Sequence, residues 1–392
     1  MNGTASVIGV STVTANEVAD PKDYWGFALE AAARALADAG LTPADIDGVV
    51  FITSVWPPER LLTSAAHLAQ LLRITPAWTK MIPYGGTPIS EHLMWASIAI
   101  EKGLATNVLC VASENLNARL GRSGVVEVFA STANSAEWEY PFGPLLPSNF
   151  GMIARRYMHE YGVAHEQISQ VAVANRKWAQ LNPQAIVTKP LTVEDVLASK
   201  TVSAPLNMLD LSLVSDGAAA AVVTSADRAR DAARPPVRIM GFGECTDSQN
   251  FSFHPNVLTM PALSRATEQA LGMAGLARSD LDIVYPYDPS TVSVLVELEA
   301  MGFAAPGEAA DLIADDATAP GGPRPMNTHG GLLSCSHPGP SASMIQMVEA
   351  IRQLRGECGE RQVAGARRAL CLGEGGFYSW QVTVLGSDDD AR

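Results

Sequence analysis

The order of hydrophobic and polar positions divides this chain into short apolar runs and longer stretches with helical spacing. SVIGVST (6–12) is a strand-like run, and the stretch after it ends in ALADAGLTPADIDGVVF (35–51). Much later VRIMGFGE (237–244) leads through another helical stretch into ALGMAGLARSDLDIVYP (270–286). With Gly40 placed on Gly275, Ala35 meets Ala270, Leu36 meets Leu271, Leu41 meets Leu276, Asp45 meets Asp280, Asp47 meets Asp282 and Val49 meets Val284. Each copy predicts strand, helix, glycine stop, Asp-rich turn and strand, with the glycine ending the helix in the left-handed region.

A second pair of blocks follows in the same order. YGGTPISEHLMWASIAIEKGLATNVLCVAS (84–113) parallels HGGLLSCSHPGPSASMIQMVEAIRQLRG (329–356) followed by ARRALCLGEGG (366–376). In both, a Gly-Gly turn enters a helix that is followed by an apolar strand containing a cysteine. Two matched blocks in one order imply a duplicated α/β fold, with halves of about 1–233 and 234–392. The segment of about 115–205 does not repeat. Its Pro, Gly and aromatic residues among short helices predict an inserted lobe over a site. The small residues of LVSDGAAAAVVTS (213–225) predict a closely packed core strand, with Asp216-Gly217 as a plain turn.

Composition narrows the class. The 392 residues are 47% hydrophobic and 17% charged, the profile of a soluble cytoplasmic enzyme. A net charge of −14 argues against a nucleic-acid partner, and it requires any anionic ligand to be met by a local cluster. The five cysteines form no CxxC pair, which predicts reduced thiols and no metal site. The N-terminus lacks the basic start of a signal peptide, and no apolar run approaches the roughly 20 residues of a membrane span.

His337, in a glycine-rich turn ahead of an apolar helix, is the first candidate for chemistry. On its own such a histidine reads as a surface or capping residue. Its neighbours change that reading. SDGAAAAVV, YDPSTVSVLVELEAMGF, NTHGGLLSCSHPG, EAIRQLRGECGERQV and LCLGEGGFYS occur in an order that resembles the thiolase superfamily. The resemblance covers nearly the whole chain, and it is to the sterol-carrier-type thiolases and thiolase-like lipid-transfer proteins in particular. It implies a thiolase fold, two duplicated halves in a five-layer αβαβα arrangement. It also implies that His337 polarises the oxygen of an acyl-CoA thioester.

The chain departs from that family where the thiols should be. The nucleophile position falls on Gly86, and the second cysteine position falls on or near Gly373. Cys110 and Cys371 sit in matching apolar strands and read as core, leaving Cys335, beside His337, as the thiol to watch. In YPYDPST, Tyr287 stands where most thiolases place an Asn, followed by Asp288, and Tyr378 lies just after the last glycine-rich loop. Tyr285 and Tyr287 share one strand face, so one of them is expected in the core.

Without an acyl-enzyme nucleophile, condensation and thiolysis are disfavoured. Retro-aldol cleavage of a β-hydroxyacyl-CoA needs only a base, an enolate hole and an acid. The resemblance extends to the thiolase-like aldolases of bacterial steroid side-chain degradation, which release a short acyl-CoA such as propionyl-CoA. It implies catalytic roles for His337, Tyr287 and Tyr378, with Gly86, Gly375, Asp288 and Ser336 at the substrate; apart from the resemblance, Arg176 and Lys177 of the inserted lobe are the candidate contacts to the CoA nucleotide. It implies no resident cofactor, a coenzyme A thioester as substrate, a homodimer, and a separate OB-fold and zinc-ribbon partner in a heterotetramer. The strand NVLCVAS (107–113) is the expected dimer edge. Two other readings are an acyltransferase using Cys335 or Ser90, and a non-catalytic acyl-CoA-binding subunit.

Overall fold

The computed structural model describes residues 5–18, 22–52, 61, 63–82, 88–248, 250–254, 256–375 and 379–387, with the side chains of 88–90 left aside. Eleven strands are present among the described residues: β1 (Ala5–Thr14), β2 (Gly48–Ile52), β3 (Trp78–Ile82), β4 (Asn107–Glu114), β5 (Thr201–Ser203), β6 (Leu206–Asn207), β7 (Gly217–Ser225), β8 (Val237–Thr246), β9 (Ile283–Tyr285), β10 (Arg368–Gly375) and β11 (Ser379–Ser387). All but β5 and β6, which form a small ribbon, join one nine-stranded sheet in the order β3-β2-β4-β7-β1-β8-β11-β10-β9. From β1 outward the first half runs β7, β4, β2, and from β8 outward the second runs β11, β10, β9. The duplication is therefore visible in the pairing order, with β3 as an extra strand on the first half. Among the described residues the two half-sheets pair where Ser6 and Val7 of β1 face Arg238 and Val237 of β8.

In the first half α1 (Tyr24–Ala39) and α2 (Ser64–Leu71) cover one sheet face, and α3 (Pro88–Glu101) lies against the other. The inserted lobe supplies α4 (Leu116–Ala133), α5 (Leu146–Tyr161), α6 (His165–Gln180) and α7 (Val193–Ala198), and short α8 (Ala226–Ala229) follows β7. The second half carries α9 (Pro261–Ala274), α10 (Thr291–Ala300), α11 (Ala309–Ile313), α12 (Gly331–Ser334) and α13 (Ala342–Arg355). α3 and α13 pack against each other between the half-sheets, while α1 and α9 sit outside them, which gives the five-layer arrangement.

The strand glycines have a packing reason. A Cβ added at Gly9 of β1 would lie 2.4 Å from the carbonyl oxygen of Ala35 and 2.6 Å from the Ala39 Cβ. At Gly241 of β8 it would lie 2.2 Å from the Ala270 carbonyl oxygen. Each outer helix presses its backbone on a strand glycine, which must therefore stay without a side chain. Both helices then stop at a left-handed glycine, Gly40 and Gly275, each with φ 69°.

The QLRGECGERQV motif also has a physical job. Glu349 of α13 is buried and accepts from Arg361 Nε at 3.0 Å and Nη2 at 2.9 Å. Thr328 donates to the same carboxylate at 2.9 Å and sits 2.9 Å from the hydroxyl of Tyr285, while Gln353 donates to the Arg361 carbonyl. The network ties the central helix to the end of β9, just ahead of Tyr287. Tyr285 is the core member of the tyrosine pair.

Two expectations change. The strand NVLCVAS is β4, paired on both sides by β2 and β7, so it offers no edge. The free edge of the first half is β3, where Thr79 and Met81 are exposed. Asp216 is more than a turn residue, because its carboxylate accepts from the backbone N–H of Asn117 and Ala118 at 2.9 and 3.0 Å and so caps α4 at a distance. Among the described residues no helix is long and apolar enough to cross a membrane.

Removing Arg361 would leave the Glu349 carboxylate buried and unpaired. Arg361→Ala is expected to lose about 3–5 kcal/mol in chemical denaturation. An unchanged midpoint would mean that solvent reaches Glu349.

Candidate active site

Gly330 and Gly331 set the site's geometry. Their φ values of 105° and 66° lie in the left-handed region, and a Cβ on Gly331 would fall 2.1 Å from Asp288 Oδ2. A Cβ on Gly330 would meet the Ala179 Cβ at 2.6 Å. The pair lets the chain turn tightly around a buried carboxylate. Asp288 accepts from the backbone N–H of Leu332 at 2.9 Å and Leu333 at 3.2 Å, and from Asn175 Nδ2 at 2.7 Å. Burial pushes its pKa up to about 7, although these donors pull it back. Asp288 is therefore a brace for the histidine loop, fully buried, and not a substrate contact.

Beyond this brace the chain reaches His337. Its Nδ1 lies 2.8 Å from Ser212 Oγ and 3.2 Å from the Leu213 carbonyl oxygen. A carbonyl can only accept, so this partner set assigns the proton to Nδ1 and leaves the Nε2 lone pair free to accept. The Tyr287 hydroxyl lies 3.3 Å from Nε2, with the rings edge to face at 6.1 Å. Burial lowers the His337 pKa to about 4, with the Leu213 carbonyl opposing. Burial, with Glu374, Asp288 and Glu297 nearby, raises that of Tyr287 well above the usual phenol range. At neutral pH the pair is a neutral phenol hydrogen-bonded to a neutral imidazole.

The histidine opens onto a cavity of about 980 Å³. Ser212, Leu213, Val214, Pro289 and His337 form one wall, and α4, α5 and the loop between them form the other. Val125, Phe129, Leu146, Phe150 and Leu211 make it largely apolar, and its cations are Arg122 and Lys200. The cavity wall made by α4, α5 and their loop belongs to the lobe of about 115–205.

Other sequence candidates lie elsewhere. Arg176 is buried, donating from Nε to Ser334 Oγ at 2.8 Å and from Nη1 to the Lys189 carbonyl at 2.8 Å. Lys177 Nζ pairs with Asp316 at 2.6 Å. Neither lines the cavity; the cations that do are Arg122 and Lys200. Ser336 is buried against Ser215 Oγ at 2.9 Å and holds the loop, not substrate. Gly375 is the last residue of β10. Gly86 and Tyr378 fall outside the described residues, as does the side chain of Ser90.

Cys335 is 1% exposed, its sulfur 3.6 Å from Asn182 Nδ2, and burial raises its pKa, so it is a packed thiol rather than a nucleophile. Cys110 and Cys371 are core residues of β4 and β10. Sequence reasoning missed Ser212, Leu213 and Glu297. Glu297 is fully buried in α10, and its Oε2 accepts from the Tyr287 N–H at 2.9 Å. Its only signal was its place, with Glu299, as one of two acids in the apolar run VSVLVELEA. Among the described residues no cluster of His, Cys, Asp and Glu is suited to a metal ion.

Residues 243–387 match the family model "Thiolase C-terminal domain-like". Over 382 residues the chain is 34% identical to a 17-hydroxy-3-oxo-4-pregnene-20-carboxyl-CoA lyase of Mycobacterium tuberculosis, spanning 94% of this chain and 96% of the relative. The chain belongs to the thiolase superfamily. This thiolase-superfamily protein is also 34% identical over 364 residues to a steroid side-chain-cleaving aldolase of Thermomonospora curvata, spanning 90% and 91% of the two chains. Its fold matches a solved Ltp2-ChsH2(DUF35) aldolase at TM-score 0.87 and 32% identity, over 100% of both chains.

The depressed His337 pKa has a consequence for rate. The imidazole stays neutral, and competent to accept a proton, down to about pH 4. The acid limb of kcat attributable to His337 is expected near that pH. A limb centred at the ordinary histidine value of about 6.5 would show that the ring is solvated during turnover.

Proposed function

We propose that this protein catalyses retro-aldol cleavage of a β-hydroxyacyl-CoA with a steroid or similar polycyclic body, giving a ketone and a short acyl-CoA such as propionyl-CoA. One observation carries the reading. A large apolar cavity is lined by His337, whose Nε2 lies 3.3 Å from the buried Tyr287 hydroxyl, and the adjacent thiol, Cys335, is buried. The names of the lyase and aldolase relatives support the same chemistry.

As the bond between the α and β carbons breaks, its electron pair passes to the thioester enolate and the β carbon becomes a ketone. The substrate hydroxyl proton goes to the Tyr287 oxygen while the tyrosine's own proton passes to Nε2 of His337. A neutral imidazole with a low pKa is a weak base, so this transfer is favoured only in concert with bond cleavage, when the nascent enolate offsets the imidazolium charge. The geometry supports proton relay for His337 in preference to the thioester-polarising role implied by the family. Reprotonation of the enolate carbon, for which Tyr378 is the candidate acid, completes the acyl-CoA, and the proton taken up by His337 restores that acid. No co-reactant is consumed.

Tyr287→Phe is expected to fold normally and lose ~10²-fold or more in kcat, and His337→Ala ~10²–10³-fold. Cys335→Ala should be nearly silent. The assay is acyl-CoA release from a β-hydroxyacyl-CoA with a bulky ring system. An inactive Cys335→Ala beside a fully active Tyr287→Phe, with an acyl adduct in the mass spectrum, would move the protein to the acyltransferases.

The assembly we propose is a homodimer through β3, with a separate OB-fold and zinc-ribbon chain completing a heterotetramer. The solved aldolase of similar fold is titled as a complex with a DUF35 protein. Trp138 and Phe142, beside the cavity-lining Tyr140, are 68% and 85% exposed, which fits a surface covered by another chain. An unpaired β3 edge with an exposed Met81 fits self-pairing. Sedimentation of the isolated chain should give twice its 41.4 kDa mass, and a stable monomer at micromolar concentration would refute the dimer.

A further inference from the structure

We infer that Asp210 is a positioning residue that locks the two segments carrying the Tyr287–His337 pair into register, with Thr291 as its essential contact. The inference rests on the site proposed above. Asp210 is fully buried and closes the short turn Met208–Asp210. One carboxylate oxygen accepts from the Asn207 N–H at 2.9 Å and lies 2.8 Å from His165 Nε2. The other accepts from Thr291 Oγ1 at 2.9 Å and Ser169 Oγ at 3.4 Å. Four partners from three separate stretches of chain converge on one side chain.

Those stretches matter because of what they carry. Ser212, two residues beyond Asp210, meets His337 Nδ1, and its backbone N–H donates to the Pro289 carbonyl at 3.0 Å. Leu211 bridges to Ser290, and the Leu213 N–H donates to the Leu332 carbonyl at 3.0 Å. Thr291 opens α10, directly after the segment that holds Tyr287 and Asp288. Asp210 thus fastens the strand that sets the His337 tautomer to the segment that sets the Tyr287 hydroxyl. His165, at the start of α6, anchors the clamp to the inserted lobe. A bond of 3.3 Å between the two reacting groups leaves little tolerance for slippage.

The test pairs kinetics with histidine-selective ¹⁵N spectra, the His337 signal being assigned by its loss in His337→Ala. Asp210→Ala is expected to lower kcat ~10- to 100-fold with KM within about twofold. It should also convert the single Nδ1–H signature of His337 into a mixture of tautomers. Should Asp210→Ala fail to fold, Thr291→Val decides: it should lower kcat about 5- to 10-fold and disturb the same signal, while Thr291→Ser restores both. Wild-type kcat and an unchanged His337 signature in either folded variant would overturn the clamp, as would Thr291→Ser being as impaired as Thr291→Val. The tautomer readout needs no turnover. A wild-type protein that releases no acyl-CoA would therefore sink the lyase reading and leave the clamp open to its own test.

Discussion

The site depends on one buried carboxylate. Asp288 draws the N–H groups of Leu332 and Leu333 and the amide of Asn175 onto itself, and everything from Gly330 to His337 follows that turn. The constraint runs both ways. Tyr287 is the residue immediately before Asp288, so the brace that shapes the histidine loop also fixes where the tyrosine leaves its strand. Two parts of the chain, 50 positions apart in sequence, meet because one side chain has nowhere else to satisfy its oxygens. The glycine pair is a consequence: any side chain at Gly331 would occupy the space of the carboxylate.

Burial then decides which chemistry the site can run. It disfavours charge on every group near the pair: His337 is held neutral, the phenol of Tyr287 is held protonated, and Glu297 is pushed toward its acid form by burial and by Glu374. The same desolvation raises the Cys335 thiol away from the thiolate a nucleophile needs. Such a site is poor at forming an acyl-enzyme. It suits a reaction in which a proton leaves a neutral alcohol as charge develops on an enolate, because the cost of separating charge falls only along that path.

Much of this was legible in the sequence, for identifiable reasons. The duplication could be read because glycine stops and close helix–strand approaches admit few residue types, so Gly9 and Gly241 stand where any side chain would collide with the backbone carbonyl of Ala35 or Ala270. His337 and Tyr287 were named together through the thiolase resemblance of their loop motifs, and the structure brings them within 3.3 Å of each other. The roles of Asp288, Ser336 and Arg176 could not be read, since a polar residue beside a site looks alike whether it faces a ligand or satisfies a backbone. Only the partners distinguish them. Ser212 and Asp210 were invisible for a related reason: their effect comes through contacts with chain more than 75 residues away. The misplaced dimer edge has another cause. An apolar strand without Pro or Lys fits a sheet centre better than an edge, and β4 is flanked on both sides.

The inserted lobe links these levels. Its helix α6 gives Asn175 to the Asp288 brace and His165 to Asp210, while α4 and α5 supply the apolar wall of the cavity. The element that shapes the binding space is therefore hydrogen-bonded to the residues that hold the reacting pair. A substrate body that fills the cavity presses on α4 and α5, and α6 is in the same lobe. In the function proposed above, apolar contacts far from the breaking bond act in this way on the alignment of Tyr287 and His337, and binding energy from an unreactive ring system is turned to rate.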